Sequence, residues 1–132
     1  MKLNLESLEL ATSSLERATT RSEKHKEDEE LRDAVIQRFE YTYELAWKML
    51  KRQIEKDAPS KEAIDQLSYK ELIREGFERG LIAKVEPWFA YREARNTTSH
   101  TYNEKSAKEV HSVSLKFLPD VKKLLEELKK RN

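Results

Sequence analysis

Residues 31–54 read LRDAVIQRFEYTYELAWKMLKRQI and carry the strongest structural signal in the chain. Apolar side chains recur here every three or four residues, at Leu31, Val35, Phe39, Tyr43, Ala46, Leu50 and Ile54. That period is typical of one face of an α-helix. Because Ile36 and Trp47 widen the apolar face, we expect a long helix that packs against more than one neighbour.

The composition favours helices throughout the chain. Its 132 residues include two glycines and three prolines, where average usage would give roughly nine glycines and about six or seven prolines. Every one of them lies between Pro59 and Pro119. β-Rich folds and glycine-rich phosphate loops need turn residues that this chain lacks. The length suits one domain, residues 1–132, and a hydrophobic share of 37% supports a modest core.

The same periodicity predicts a further helix on each side of this stretch. The apolar positions between Leu5 and Ala18 predict a first helix of about 18 residues, and the polar residues 22–30 form the corner that follows it. The last helix is expected to start near Asn103 or Ser106. Pro119 lies inside its apolar pattern and should kink it.

Shorter helices are expected between residues 59 and 95. One follows Ser60, and another starts at Ser68, which has capping-box spacing to Glu71 and a C-capping glycine at Gly80. A third main helix has Pro87 in its first turn and runs to about residue 95. The sequence therefore predicts an all-α fold, an antiparallel up-and-down bundle of four principal helices with a short helical insertion.

Charge and cysteine content exclude several classes of function. The 26 Lys and Arg residues nearly balance 25 Asp and Glu, for a net charge of +1, so no global field attracts nucleic acid or membrane. The absence of cysteine excludes disulfides, thiolate catalysis and Cys-bearing zinc sites. No segment approaches the roughly 20 apolar residues of a membrane span, and the N-terminus lacks the apolar core of a signal peptide. We therefore expect a soluble cytoplasmic protein with no membrane partner.

The three histidines do not form a metal site by spacing. His25 lies in the charged corner, and His100 and His111 are too far apart to share a metal on one helix. No acidic loop or helical Glu-x-x-His pattern is present. We expect no protein-held metal and no cofactor.

The segment that can carry chemistry is residues 92–102, REARNTTSHTY. Arg95 and His100 would lie roughly 140° apart on an uninterrupted helix, so they converge only if the helix ends between them. The Asn-Thr-Thr-Ser run at residues 96–99 favours caps and turns and predicts such an end. A guanidinium can clamp phosphate oxygens and an imidazole can transfer a proton near neutral pH, a pair suited to a phosphodiester.

These residues also carry a family resemblance. Arg95, His100 and Tyr102 resemble the R-x4-H-x-Y signature of the HEPN superfamily, and Asn96 suits that pattern. Residues 36–48, IQRFEYTYELAWK, resemble one branch of it, the nucleotidyltransferase substrate-binding-like proteins. Proteins of this branch are small all-α partners of minimal nucleotidyltransferases, and the resemblance covers nearly the whole chain.

The resemblance implies an assembly and a set of residue roles. HEPN proteins form helical-bundle dimers in which two motifs face a shared cleft, and active toxins among them are metal-independent ribonucleases. The catalytic roles fall on His100, which acts in the attack of a ribose 2′-hydroxyl on its own phosphate, and on Arg95, which stabilises the phosphorane-like state. In toxin–antitoxin pairs the partner can adenylylate the motif tyrosine, here Tyr102.

Three functions remain open at this point. The first is a subunit that pairs with a minimal nucleotidyltransferase, as a homodimer or higher oligomer, and binds nucleotide or RNA through Arg95, Asn96, His100 and Tyr102. The second is an endoribonuclease toxin that leaves 2′,3′-cyclic phosphate. The third is a helical dimerisation module with a vestigial motif.

Several nearby residues have plainer interpretations. Arg92 and His111 are interpreted as structural or solvated. Phe39, Tyr43 and Trp47 are interpreted as core residues and not as a platform for stacking bases.

Overall fold

The computed structural model describes the backbone of residues 2–100 and 103–132, and the side chains of these residues except 98–100. Within these ranges the chain is all-α, as predicted, and contains no strand. The helices are α1 (Glu6–Lys24), α2 (Glu29–Asp57), α3 (Lys61–Asp65), α4 (Tyr69–Glu78), α5 (Glu86–His100) and α6 (Glu104–Lys130). The short helices α3 and α4, of 5 and 10 residues, lie between α2 and α5 as expected.

Hydrogen bonds between α1 and α2 show that these two helices are antiparallel. The Arg38 guanidinium donates to the Ser14 carbonyl at 2.8 Å, and the Thr42 hydroxyl donates to the Ala11 carbonyl at 3.2 Å. The contacts therefore move back along α1 as they move forward along α2. The turn that joins the helices lies within the polar stretch where a corner was predicted.

Contacts between α2 and the last part of the chain show that α2 and α6 run parallel. Arg32, near the start of α2, contacts Glu104 at the start of α6, with 2.7 Å between Nη1 and Oε1. Lys56, near the end of α2, donates to Asn132 just beyond α6 at 3.0 Å. The long helices α1, α2 and α6 thus run parallel or antiparallel to one another, as in a bundle.

An aromatic cluster occupies the centre of the core. The Phe117 ring on α6 meets Phe39 edge-on at 5.2 Å between centroids and Tyr91 at 5.0 Å. Tyr43 and Trp88 complete the cluster, and both are almost fully buried. The interpretation of Phe39 and Tyr43 as core residues is therefore confirmed, whereas Trp47 is only half-buried at the edge of the core.

The helix boundaries follow local capping signals at several positions. Ser68 and Glu71 form the predicted capping box at the start of α4. Gly80 follows the end of that helix with a φ of 75°, in the left-handed region that glycine adopts without strain. Asn103 caps α6 by accepting from the Ser106 backbone N–H at 2.8 Å, so the first of the two expected starts is correct.

The predicted end of the third main helix is wrong. Helix α5 continues through residues 96–99 and includes His100. The Thr97 hydroxyl donates to the Glu93 carbonyl at 3.0 Å, so this cap-forming residue satisfies its polar group inside the helix. Positions 95 and 100 consequently lie on one continuous helix, about 140° apart around its axis.

Within the described ranges, no helix combines the length and the apolar character that crossing a membrane requires.

Candidate functional site

Two of the predicted site residues, Arg95 and Asn96, line a cleft of about 320 Å³. The cleft lies between α2, α5 and the segment that contains α3 and α4. The side chain of His100 and the whole of Tyr102 lie outside the described residues. The structure therefore places Arg95 and Asn96 together and leaves the other two positions as predictions.

An ion pair between α5 and α2 holds Arg95 at the cleft. Its Nε lies 3.2 Å from Oε1 of Glu44, and both side chains are about one-third exposed, at 29% and 33%. The other Glu44 oxygen accepts from the Trp47 indole at 3.3 Å, and Lys48 Nζ lies 4.0 Å from it. Glu44 is thus oriented by contacts within its own helix and lies at ion-pair distance from the guanidinium.

Arg92 stacks against an aromatic wall of the same cleft. Its guanidinium carbon lies 4.3 Å from the centre of the Tyr69 ring, a cation–π geometry. Arg92, Arg95 and Asn96 are three and four residues apart, so they share one face of α5. The contact with Tyr69 agrees with the structural interpretation of Arg92, and its spacing to Arg95 and Asn96 also places it at the cleft.

A pair of tyrosines forms the inner wall of the cleft. The Tyr43 hydroxyl donates to the Tyr69 hydroxyl at 2.7 Å, which donates to the Trp88 carbonyl at 3.2 Å. Burial raises the pKa of Tyr43 far above its ordinary value of 10.0 and raises the pKa of Tyr69 to about 12. Both phenols are therefore protonated at neutral pH and serve to anchor α4 to the bundle.

The cations of the cleft outnumber its carboxylates. Among the described side chains, the cleft is lined by three cations and one carboxylate: Lys51, Arg92 and Arg95, and Glu44. Lys51 also pairs with Asp65 at its rim, with 3.2 Å between Nζ and Oδ1. A cleft of this charge favours an anionic ligand, and planar guanidinium groups suit phosphate oxygens in particular.

His111 connects α6 to α1, away from the cleft. Its Nε2 lies 3.0 Å from the Ser22 hydroxyl, and burial lowers the pKa of the imidazole below its ordinary value of 6.5. The geometry agrees with a structural interpretation of this histidine. Among the side chains that the structure describes, no group of three or more His, Asp or Glu residues is arranged to hold a metal ion.

The residues that sequence analysis missed come from α2 and α4. Glu44 and Trp47 lie in the segment 36–48 that carries the family resemblance but were not singled out as site residues, and Tyr69 belongs to no recognised motif. They meet Arg92 and Arg95 only because the helices pack together. The position of Trp47 at the margin of the apolar stripe was the one available hint.

Comparisons with known proteins give the chain its family. Residues 3–130 match the family described as nucleotidyltransferase substrate binding protein like. A Haemophilus influenzae protein named probable ribonuclease HepT is 39% identical over 99% of this chain and 95% of its own length.

Two solved structures share the fold. One, from Haemophilus influenzae, is described as revealing the fold of a substrate binding domain of a nucleotidyltransferase, with a TM-score of 0.89 at 36% identity over 96% of this chain and 99% of that one. A crystal structure from Thermus thermophilus has a TM-score of 0.74 at 30% identity over 92% of this chain and 98% of its own. The match across almost the entire chain means that this protein belongs to the nucleotidyltransferase substrate binding protein like family.

Proposed function

We propose that this protein is a single-domain HEPN-type subunit that pairs with a minimal nucleotidyltransferase and binds nucleotide or RNA at the site of Arg95, Asn96, His100 and Tyr102. The observation that carries the proposal is the cationic cleft in which Arg95 and Asn96 lie side by side with Arg92. The description of the Haemophilus influenzae structure as a nucleotidyltransferase's substrate binding domain supports the pairing.

The charge of the chain indicates how such a ligand is held. The net charge is only +1, so broad electrostatic attraction of nucleic acid is weak. A few guanidinium groups that converge on one phosphate bind it instead through directed, charge-assisted hydrogen bonds. The ligand in this proposal is therefore a short nucleotide unit and not a long duplex.

The pairing is tested by co-expression with a nucleotidyltransferase encoded beside this chain, followed by gel filtration. The two chains are expected to elute together, at a size that also reports whether this subunit is a homodimer or a higher oligomer. Separate elution would contradict the pairing. Adenylylation of Tyr102 is tested on the same material by intact mass, with Tyr102→Phe as the control that should gain no nucleotide.

A second candidate function is metal-independent cleavage of RNA, which the name of the related probable ribonuclease favours. In this proposal His100 removes the proton from a ribose 2′-hydroxyl, whose oxygen attacks the adjacent phosphorus. The P–O5′ bond breaks, leaving a 2′,3′-cyclic phosphate, while Arg95 stabilises the added negative charge. The leaving O5′ takes up a proton from water and becomes a 5′-hydroxyl, and His100 returns its proton to solvent. Because one helix carries both positions about 140° apart, a homodimer whose two motifs face each other supplies the converging groups.

Cleavage of single-stranded RNA in EDTA tests this second function. The wild-type protein is expected to leave 2′,3′-cyclic ends, and His100→Ala to leave the RNA intact. His25→Ala is the matched control, since His25 is exposed in the turn between α1 and α2. Cleavage that persists in His100→Ala would contradict the assignment. If neither RNA nor nucleotide binds at all, the chain is a dimerisation module with a vestigial motif.

A further inference from the structure

We propose that the cleft between α2, α4 and α5 is a subsite for one nucleoside monophosphate unit, with its base against Trp47 and Tyr69 and its phosphate at Arg92 and Arg95. The inference rests on the proposed function and deepens it by naming what occupies the space beside Arg95. The unit can be a free nucleotide or one nucleotide of an RNA strand, because both present the same base and phosphate.

The aromatic part of the cleft is built differently from the core. Trp88, in the core, is 1% exposed, whereas Trp47 is half-buried with its ring at the cleft. The Trp47 ring meets the Tyr69 ring nearly perpendicularly, at 81° and 6.3 Å between centroids. Two rings at this angle form a corner, and Leu67 and Leu72 add apolar surface to it. Such a corner can accept the flat face of a base, because every base presents a π-face.

The cationic part of the cleft adjoins that corner. Arg92 lies over Tyr69, so its guanidinium stands at the boundary between the aromatic wall and solvent. Arg95 lies one helical turn further along α5, with its Nε side turned toward Glu44. A ligand that places a base against the rings therefore places its phosphate near two guanidinium groups. The apolar surface beside a cationic surface matches the base and phosphate of a nucleotide. Inorganic phosphate would contact only the cationic surface.

The volume limits the ligand to about one nucleotide. The cleft measures about 320 Å³, at the lower end of the roughly 300–1,000 Å³ of small-molecule sites. A base enters such a site only when it is unpaired, so an RNA ligand must be single-stranded there.

The outer wall of the subsite is held rigidly before any ligand binds. The capping box of Ser68 and Glu71 fixes the first turn of α4, and the Tyr43–Tyr69 hydrogen bond ties that turn to α2. Near the C-terminal end of α4, a Cβ added to Gly76 would lie 3.0 Å from a Leu50 methyl group, so α4 approaches α2 closely there. A wall fixed in this way loses little entropy when it binds a ligand.

Tryptophan fluorescence tests the subsite directly on the full chain. The chain has two tryptophans, and Trp88 is buried, so a ligand in the cleft acts on Trp47. AMP, GMP, CMP, UMP and a short single-stranded RNA are titrated, with ribose 5-phosphate as the probe that lacks a base. We expect at least one nucleotide or the RNA to change the emission, and ribose 5-phosphate to bind about 5- to 150-fold more weakly, the equivalent of roughly 1–3 kcal/mol of stacking.

Variants identify the groups responsible, with affinity measured by calorimetry. Trp47→Phe keeps a ring and should bind without the change in emission, whereas Trp47→Ala should bind about 5- to 150-fold more weakly. Arg92→Gln should weaken binding, and Arg74→Gln should not. Arg74 is the matched control because it also lies over an aromatic ring, Phe89 at 5.7 Å, and does not line the cleft.

The outcomes separate this subsite from the proposed function. A response to free nucleotides without any RNA cleavage supports the subsite and rejects the ribonuclease, and a response to RNA alone identifies a strand as the source. Affinity for nucleotide and RNA that is unchanged by Trp47→Ala, or equal weakening of binding by Arg92→Gln and Arg74→Gln, overturns the subsite, whereas RNA cleavage by the wild-type protein would still stand. No change in emission with any nucleotide or with RNA also overturns it.

Discussion

Glu44 on α2 and Arg95 on α5 form an ion pair, with 3.2 Å between the carboxylate Oε1 and the guanidinium Nε. The pair joins the arginine of the motif to a helix that the motif does not include. In the proposed function, a phosphate that arrives at Arg95 competes with a carboxylate that is already in place. The affinity of the proposed site then depends on Glu44, a residue outside the motif.

Glu44→Gln should therefore strengthen the binding of single-stranded RNA. Removing one negative charge from the cleft weakens the competition with phosphate at Arg95, and the slope of log affinity against log salt should become steeper by about 0.7. The free energy of unfolding should change by less than about 1 kcal/mol, because both partners are about one-third exposed. Binding measured across a salt series tests the prediction. Glu109→Gln, an exposed site on α6, is the control, and an equal gain there would show that only net charge matters.

The two tyrosine hydroxyls of the cleft wall should contribute unequally to stability. Tyr43→Phe removes one hydrogen bond and should lower the free energy of unfolding by about 0.5–1.5 kcal/mol. Tyr69→Phe should cost about 1–3 kcal/mol, because it leaves the buried Tyr43 hydroxyl without its acceptor. The double variant should cost less than the sum of the two single variants, and urea unfolding measures all three. Additive costs would mean that the hydroxyls do not act as a pair. Tyr41→Phe, at an exposed site, should change stability little.

Acid should destabilise the protein through His111. Burial lowers the pKa of His111 below 6.5, with Arg32 acting in the same direction and Glu23 opposing it. The unfolded chain therefore takes up a proton at this residue at a higher pH than the folded chain does, so the free energy of unfolding falls as the pH drops through and below 6.5. His111→Gln should flatten this dependence and His25→Gln should leave it intact, as urea unfolding at a series of pH values can show. A pH dependence equal in both variants would refute the assignment.

Gly80→Ala should destabilise the end of α4 through the backbone alone. The Gly80 N–H donates to the Phe77 carbonyl and the Leu81 N–H to the Gly76 carbonyl, a pattern that needs the left-handed φ of 75°. An added Cβ meets nothing closer than Arg131 Nη2 at 3.4 Å, so steric clash is not the cause. The expected loss is about 1–2 kcal/mol of unfolding free energy. Gly80→Asn should lose less, since asparagine tolerates this conformation, and an equal loss for both would point to another cause.

Local signals predicted the helices well where each depended on neighbouring residues. These signals act over one or two helical turns, so they can be recognised in the sequence alone. They are the apolar stripe in residues 31–54, the capping box at Ser68 and the glycine that ends α4. The same reasoning failed at residues 96–99. Helix α5 continues through these residues, and the Thr97 hydroxyl bonds back to the Glu93 carbonyl instead of capping a helix end. Propensity alone could not show whether such a side chain bonds back inside the helix or caps its end.

The sequence by itself determined that this chain is helical and where most of its helices begin. These properties arise from periodicity and capping, which are local. Only the tertiary structure decided that Arg95 lies against Glu44 and that Arg92 stacks on Tyr69 beside Trp47. Those partners come from helices far apart in the sequence, and their meeting depends on how the buried faces of α2, α4 and α5 pack. The chemistry of the cleft is therefore a consequence of packing and not of any single motif.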